Sequence, residues 1–448
     1  MDRNPFPSVC ARVCPHPCEA QCRRETVDSP VAIRAVKRFL VDATTKVSVP
    51  VLDRPHEERR HTAVIGAGPA GLTAAYFLAR LGHKVTVYEA MPKPGGMLRY
   101  GIPSYRLPRE ELERDIERIT NMGVKIICDV AIGNKLSLVQ LRKEHDAIFI
   151  GTGAWADITM GVPGEEGHGV ASGIELLKKV ELGQVEKIRG EAVVVGGGDT
   201  AIDAARTALR LGAKNVTVAY RRTREEMPIQ PEEITEALEE GVKFEFLVAP
   251  VEVIRNGDKS VVAIKLQQMQ LGEFDDSGRR RPMPIEGGFI EIPAMQIIRA
   301  IGQKPIAPIG GPPVSKRGTI SVDQFSLTTE FDGVFAGGDA ILGPATAVEA
   351  IAHGRRAAEA IEHYLLPDQP AQFPWHAARA LDTLFDPADA PAEATRRETP
   401  KLLPLERRAC FDEVELTLSA EDARLEAGRC LRCDYGKTII SRDGERPC

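Results

Sequence analysis

Residues 62–90 read TAVIGAGPAGLTAAYFLARLGHKVTVYEA, and the succession of textures in this stretch decides the fold. Ala63–Ile65 is a short β-branched run, Pro69 sits where a helix can begin, and Ala70–Leu81 carries helical apolar spacing. Gly82 ends that helix, and Lys84–Tyr88 alternates as a second strand. The whole is a βαβ unit with Gly66-Ala67-Gly68-Pro69-Ala70-Gly71 at its first turn. The first glycine permits the tight turn, the second lets the backbone approach a pyrophosphate, and the third lets helix pack on strand. N–H groups at the helix start can hold the anion. Glu89, at the end of the second strand, is placed to bind a ribose hydroxyl. A lone G-x-G-x-x-G can be a purely structural turn; the strand before it, the helix after it and the carboxylate at the expected distance make this one specific.

A second unit, EAVVVGGGDTAIDAARTALRLGAKNVTVAYRR, occupies Glu191–Arg222, and its LRLGAKNVTVAY echoes LARLGHKVTVYE of the first. Two copies predict two Rossmann-like domains. The second glycine turn, Gly196-Gly197-Gly198-Asp199-Thr200-Ala201, ends in the permitted Ala. Its second strand ends in Tyr220-Arg221-Arg222 instead of a carboxylate. Guanidinium forks suit a 2′-phosphate, which leans the cofactor toward NADP; the alternative is a solvated surface pair. Three further strands run into glycine: Asp146–Trp155 with Gly151, Ile297–Pro305 with Gly302, and Asp332–Ala340 with Gly338 and Asp339. Val49–His61 reads as a linker. From Leu366 the texture turns to Pro, Ala and Asp, and helical periodicity returns in Ala420–Lys437, which contains Cys430-x-x-Cys433.

The chain has 448 residues, enough for roughly three domains. Its net charge of −6 gives no reason to expect nucleic acid. No apolar run is long enough to span a bilayer and no secretory h-region follows Met1, so no membrane association is expected. The expected location is cytoplasmic, where thiols stay reduced. That makes CARVCPHPCEAQC (Cys10, Cys14, Cys18, Cys22) a metal-site candidate rather than a disulfide framework. No H-E-x-x-H, P-loop or G-x-S-x-G occurs, and no redox C-x-x-C follows Gly95; Cys128 stands alone.

The run GGMLRYGIPSYRLP (Gly95–Pro108), with RRTREEMP and AGGDA, resembles the small (beta) subunit of glutamate synthase and the related flavin halves of dihydropyrimidine dehydrogenase and bifurcating ferredoxin:NADP oxidoreductases. The resemblance covers about Asn4 to Tyr364. It implies FAD on the first unit, with Gly66, Gly68, Pro69, Ala70, Gly71 and Glu89 at the adenosine-diphosphate half. Gly96, Leu98 and Ile102 would lie against the flavin, with Gly151 and Gly338 after their strands, and Asp339 at the ribityl or pyrophosphate end. Thr346, Ala347 and Val348 would present a helix start to the flavin O2 edge. NAD(P) would take Gly196, Gly198, Asp199, Thr200, Arg221, Arg222 and Gly302. No catalytic side chain is implied, because hydride transfer between the two cofactors needs alignment and exclusion of water.

In that family an N-terminal domain carries two iron–sulfur clusters. NPFPSVCARVCPHPCEAQC matches its second half, and EAGRCLRC (Glu426–Cys433) resembles its opening, so the tail is expected to fold back. One [4Fe–4S] cluster is the most these thiols allow, on Cys14, Cys18 and Cys22 with Cys10, Cys430 or Cys433 as fourth ligand. A structural zinc site and a loop that binds nothing remain open. The expected architecture is α/β and glutathione-reductase-like: a Cys-rich cap at 1–48, an FAD domain at 61–160 and 300–365, an NAD(P) domain at 166–299 inserted in it, and a linker and arm at 366–448. The expected function is an FAD-containing oxidoreductase subunit passing electrons between NAD(P) and an iron–sulfur partner. The partner would be a glutamate synthase large subunit, a ferredoxin, or a catalytic subunit of aldehyde, formate or hydrogen oxidation. The rivals are a stand-alone diaphorase and a non-catalytic assembly subunit.

Overall fold

The computed structural model describes residues 3–44, 51–134, 136–185, 187–275, 278–308, 310–368 and 394–431. Two five-stranded parallel sheets organise it. The first runs Val334–Ala336, Ala147–Ile150, His61–Ile65, Lys84–Tyr88, Lys125–Ile127 across the sheet, with His61 opposite Lys84 and Ile65 opposite Tyr88. The second runs Val170–Ser172, Gln296–Arg299, Glu191–Val195, Asn215–Tyr220, Lys243–Phe246. In each, the strand before a glycine turn lies at the centre. Central strands such as Ala147–Ile150 are wholly buried, as expected when both faces of a parallel sheet are covered.

Helix Pro69–Arg80 lies on the first sheet and packs closely on helix Ala347–Leu365. The crossing is tight because residue 354 is glycine: a Cβ there would overlap the Ala70 carbonyl oxygen and stand 2.8 Å from Thr73 Cβ. Helix Asp199–Arg210 occupies the matching place on the second sheet. The halves differ between their third strand and the strand on the other side of the centre. The first has helix Leu138–Glu144 there, whereas the second has an antiparallel sheet of Val248–Arg255, Val261–Phe274 and Arg280–Pro293.

Residues 51–60, expected as a linker, are packed. Leu52 N donates to Arg80 O at 2.8 Å, and Arg54 is buried, its Nε donating to Leu81 O at 2.8 Å and its Nη2 to Glu362 at 2.6 Å. Carbonyls at the end of helix Pro69–Arg80 need donors, and the charged residues that make this segment look like a linker supply them.

The cap helix Pro7–Val13 has no cap of its own; Asp115 on helix Arg109–Thr120 accepts from Ser8 N at 2.9 Å, Val9 N at 3.1 Å and Ser8 Oγ at 2.9 Å. The arm does fold back. Lys401 pairs with Glu236 at 2.6 Å, Val414 N donates to Tyr105 O at 2.9 Å, and helix Ala420–Gly428 packs on cap helix Ile33–Ala43. Glu426, fully buried, accepts from Ala32 N at 2.7 Å and pairs with Arg429 at 2.6 Å. The Pro- and Ala-rich stretch at 369–393 and Cys433 lie outside the described residues.

Candidate functional site

The two glycine turns share a logic that a hypothetical Cβ reveals. At Gly66 (φ +99°) it would stand 2.5 Å from Gly151 O, and at Gly71 it would overlap the Gly66 carbonyl oxygen. At Gly96 (φ +53°) it would meet Gly68 Cα at 2.7 Å, and at Gly338 (φ +65°) Ala70 Cβ at 2.8 Å. Gly66, Gly71 and Gly96 pack backbone against backbone, and Gly338 packs against the Ala70 methyl. Gly68 is different: its nearest neighbour would be Gly96 Cα at 3.8 Å, an ordinary contact. In the second unit Gly196 (φ +145°) would overlap Ala300 O, whereas Gly198 would meet nothing within 4 Å. The second glycine of each motif is therefore bare toward open space at a helix start. Such a cradle suits a pyrophosphate, so the residues present fit a dinucleotide in both units.

Both units face one cleft of about 1300 Å³. From the first unit and its neighbours, Pro69, Leu98, Ile102, Asp339, Thr346 and Ala347 line it. From the second, Gly196, Gly198, Asp199, Thr200, Arg221, Arg222 and Gly302 line it. Gly66, Ala70, Gly71, Gly96, Gly151 and Gly338 stand behind this wall as packing positions, and Val348 is exposed on the first turn of its helix and does not line the cleft. Cys14, Pro15 and His16 of the cap border the same cleft.

Glu89 is buried at the end of its strand, with Oε2 accepting from Ala67 N at 2.7 Å and Oε1 from Met91 N at 2.8 Å. It braces the glycine turn from below, and burial pushes its carboxyl up despite these bonds. Asp339, half-buried after Gly338, is pushed up to about 7, chiefly by burial, against the pull of the Ala345 N–H. Thr346 caps helix Ala347–Leu365 in a reciprocal box with Glu349: Thr346 Oγ1 accepts from Glu349 N at 3.3 Å, and Glu349 Oε2 accepts from Thr346 N at 2.8 Å. The positive end of a 19-residue helix thus meets the cleft.

The arginines of the second unit do not act as a pair. Arg222 is buried and committed, pairing with Asp275 at 2.6 Å and donating to Arg280 O at 2.8 Å. Arg221 is exposed along the cleft. Sequence reasoning also missed Arg106, whose guanidinium reaches from the segment after Ile102 to Asp203 and Glu233 at 2.6 Å each, joining the two halves under the cleft. It lies within the quoted run Gly95–Pro108, but nothing in that run marks it as a link between the two halves.

Cys10 stands apart from the other candidate ligands in being packed into the core. It lies in helix Pro7–Val13, buried beside Phe6 and Val9, and burial pushes its thiol up to about 11. Cys14 ends that helix, Cys18 is exposed and Cys22 half-buried, on the turn-rich loop that Pro15 and Pro17 predict. Yet among the described residues no three Cys, His, Asp or Glu groups converge on a metal position. The donor chemistry of Cys14, Cys18 and Cys22 fits iron–sulfur ligation, and among the described residues no fourth thiolate completes the set; Cys433 lies outside them. Cys430 is exposed after helix Ala420–Gly428, and Arg24 Nη1, near Cys22, donates to Arg429 O at 3.1 Å, so the arm ends beside the cap.

Two dinucleotide folds across a shared cleft define a flavin- and nicotinamide-dependent oxidoreductase class. Residues 60–354 match the family described as pyridine nucleotide-disulphide oxidoreductase, and the chain belongs to it. Residues 1–49 match a second profile, described as dihydropyrimidine dehydrogenase domain II, 4Fe–4S cluster. The chain is 42% identical to the NADP(+)-dependent formate dehydrogenase subunit beta of Moorella thermoacetica, over 99% of this chain and 67% of that one. It is 35% identical to the glutamate synthase [NADPH] small chain of Escherichia coli, with 81% of each chain covered. Among solved structures, FprA of Mycobacterium tuberculosis superposes with a TM-score of 0.60 at 19% identity, covering 70% of this chain and 87% of that one. The protein is an FAD-dependent NAD(P) oxidoreductase. Its only cysteine within 60–354 is Cys128, so the disulphide of the family's name has no counterpart there. No described helix is long and apolar enough to cross a membrane.

Proposed function

We propose that this chain is the electron-transfer subunit of a cytoplasmic complex, exchanging electrons between NADP(H) and an iron–sulfur partner subunit or ferredoxin. The observation that carries this reading is the pair of unobstructed second glycines, Gly68 and Gly198, with Gly198 itself and Pro69, next to Gly68, lining the one cleft. The relatives named above are subunits of NADP- or NADPH-linked enzymes, which supports both the cofactor and the partner.

The residue roles follow from geometry. Gly68, Pro69 and the helix start behind them would hold the pyrophosphate of FAD, with Glu89 keeping the turn in shape and offering its remaining lone pairs to the ribose. Leu98 and Ile102 would cover the ring and exclude water, and the N-terminus of helix Ala347–Leu365 would stabilise negative charge at the cleft. Gly198, Asp199 and Thr200 would receive NAD(P), and Gly302, with no side chain, would leave the passage between the two sites open. When bound, the flavin supplies the exchange between hydride and single-electron chemistry. The first sheet with residues 300–365 would form the FAD domain and the second sheet, within 166–299, the NAD(P) domain.

Gly68→Val puts a branched side chain in the first cradle, and the purified variant should lose its yellow absorbance. Gly198→Val should keep the yellow colour and lose dye reduction by NADPH. Full flavin retention in the first variant would sink the assignment. A stand-alone diaphorase with a structural cap is the second reading, favoured by the absence of a gathered metal site among the described residues. Anaerobically prepared protein with about four irons per chain, lost on Cys14→Ser or Cys18→Ser with FAD retained, would exclude it. Zinc, or no metal with full partner activity, would favour it.

A further inference from the structure

The hairpin of Val261–Phe274 and Arg280–Pro293 has no counterpart in the first half of the molecule, and its far end is held at the end of strand Asn215–Tyr220. Three bonds fix it there. Arg222 Nη2 pairs with Asp275 at 2.6 Å, Arg222 Nε donates to Arg280 O at 2.8 Å, and Arg280 N donates to Glu226 Oε1 at 2.9 Å. Asp275 N in turn donates to Arg279 O at 2.8 Å, which closes the hairpin end. Arg279, held in this way, lines the cleft together with Tyr220 and Arg221.

At the equivalent place in the first unit stands one carboxylate, Glu89. Here the guanidinium groups of Arg221, Arg222 and Arg279 stand at the strand end, and Arg222 is the one that ties the hairpin through Asp275. Although its side chain is exposed, Arg221 holds its proton less tightly than usual, first because the cleft wall strips part of its hydration and then through the charges of Arg222 and Arg279, which places Arg279 within electrostatic reach of Arg221. Two guanidinium groups from different elements, lining the same cleft beside the end of strand Asn215–Tyr220, match a dianionic phosphate monoester better than a hydroxyl.

We propose that Arg279 is a specificity-determining residue that shares with Arg221 the 2′-phosphate of NADP(H), while Arg222 is a positioning residue that ties the hairpin to the strand. This rests on the reading of the second unit as the nicotinamide-nucleotide site. The hairpin is then a clamp on the phosphate end of the cofactor, supplied by a different part of the chain from the glycine turn.

The test uses the full-length flavoprotein, with dye reduction by NADPH and NADH and competitive binding of adenosine 2′-monophosphate against adenosine 5′-monophosphate. Arg279→Ala should lower the ratio of kcat/KM for NADPH to that for NADH about ten- to a hundredfold, the range of a charged hydrogen bond. It should weaken the 2′-monophosphate selectively, and Arg279→Lys should restore part of the loss. Asp275→Asn should lower the same ratio less, with Asp275→Glu restoring it, because only the placement of the hairpin is disturbed. Equal losses for both nucleotides would put Arg279 on the shared pyrophosphate and overturn the inference, as would an unchanged ratio. A native preference for NADH would overturn it while leaving the site reading intact. Oxidation of neither nucleotide by the unmodified protein would instead break the site reading. If Arg279→Ala loses its flavin, Arg279→Gln keeps the stem, and the same ratios decide.

Discussion

The two βαβ units are one backbone plan carried out with different chemistry. In the first, the third position of the glycine motif must be Gly71, because a Cβ would overlap the Gly66 carbonyl and stand 3.0 Å from Val64 Cγ1. In the second, Ala201 occupies that place and is fully buried without strain. The first turn is braced from its strand end by a carboxylate, Glu89. The second is braced by an aromatic ring, since a Cβ on Gly197 would run into Tyr220. The lesson is that a shared fold fixes where phosphate can approach, whereas the residue at the end of the second strand decides what each cofactor's ribose meets.

The sharpest way to break this comparison is to exchange the third positions. Gly71→Ala forces backbone against backbone and should cost about 3 kcal/mol or more, lowering the unfolding midpoint and weakening flavin retention together. Ala201→Gly should cost only about 1 kcal/mol, the propensity difference in a helix. Denaturant unfolding of both variants checks this, and similar costs would show that the two turns are packed alike. A smaller effect is expected at the strand end. Glu89→Gln turns one acceptor into a donor facing a backbone N–H, Ala67 or Met91, and should cost about 1–3 kcal/mol. An unaffected melting temperature would mean that Glu89 is not a brace.

A further modest effect is pH-dependent. Asp339 is pushed up to about 7 in the folded, cofactor-free chain, above its ordinary 3.8. The folded state therefore holds this proton more tightly than the unfolded state, so the contribution to stability is present below about pH 4 and is lost as pH rises toward 7. Asp339→Asn should remove about 1–2 kcal/mol of that slope, a figure reduced for partial solvent screening. Melting curves of wild type and variant from pH 4 to 8 read the difference. Parallel curves would sink the assignment of burial at this carboxylate.

Much of this was legible in the chain itself. The strands and helix of the first unit occur at His61–Ile65, Pro69–Arg80 and Lys84–Tyr88, because local period, Pro69 and Gly82 speak directly to backbone geometry. The antiparallel sheet was missed, although Val261, Ile264 and Leu266 are buried beside exposed Val262, because its alternation is broken by register shifts between Gln267 and Met269 and between Leu271 and Phe274. Residues 51–60 read as a linker because charge and proline look alike whether a segment is solvated or, as with Arg54, capping a buried helix end. Spacing alone cannot tell a thiol packed against a core, as Cys10 is, from one facing a metal.

The sequence by itself determined the two glycine turns, the carboxylate at one strand end and the arginines at the other, and hence two dinucleotide folds, since each depends on residues close together in the chain. Only the tertiary structure decided how those parts divide their work. Arg222 is spent on Asp275, 53 residues away, and Arg279 is brought to the cleft by a hairpin. Arg106 reaches Asp203 and Glu233 of the other half, and the arm returns to the cap through Glu426 and Arg429. The reason is physical: a turn is written in neighbouring φ/ψ preferences, but which buried charge finds which partner depends on packing between segments hundreds of residues apart.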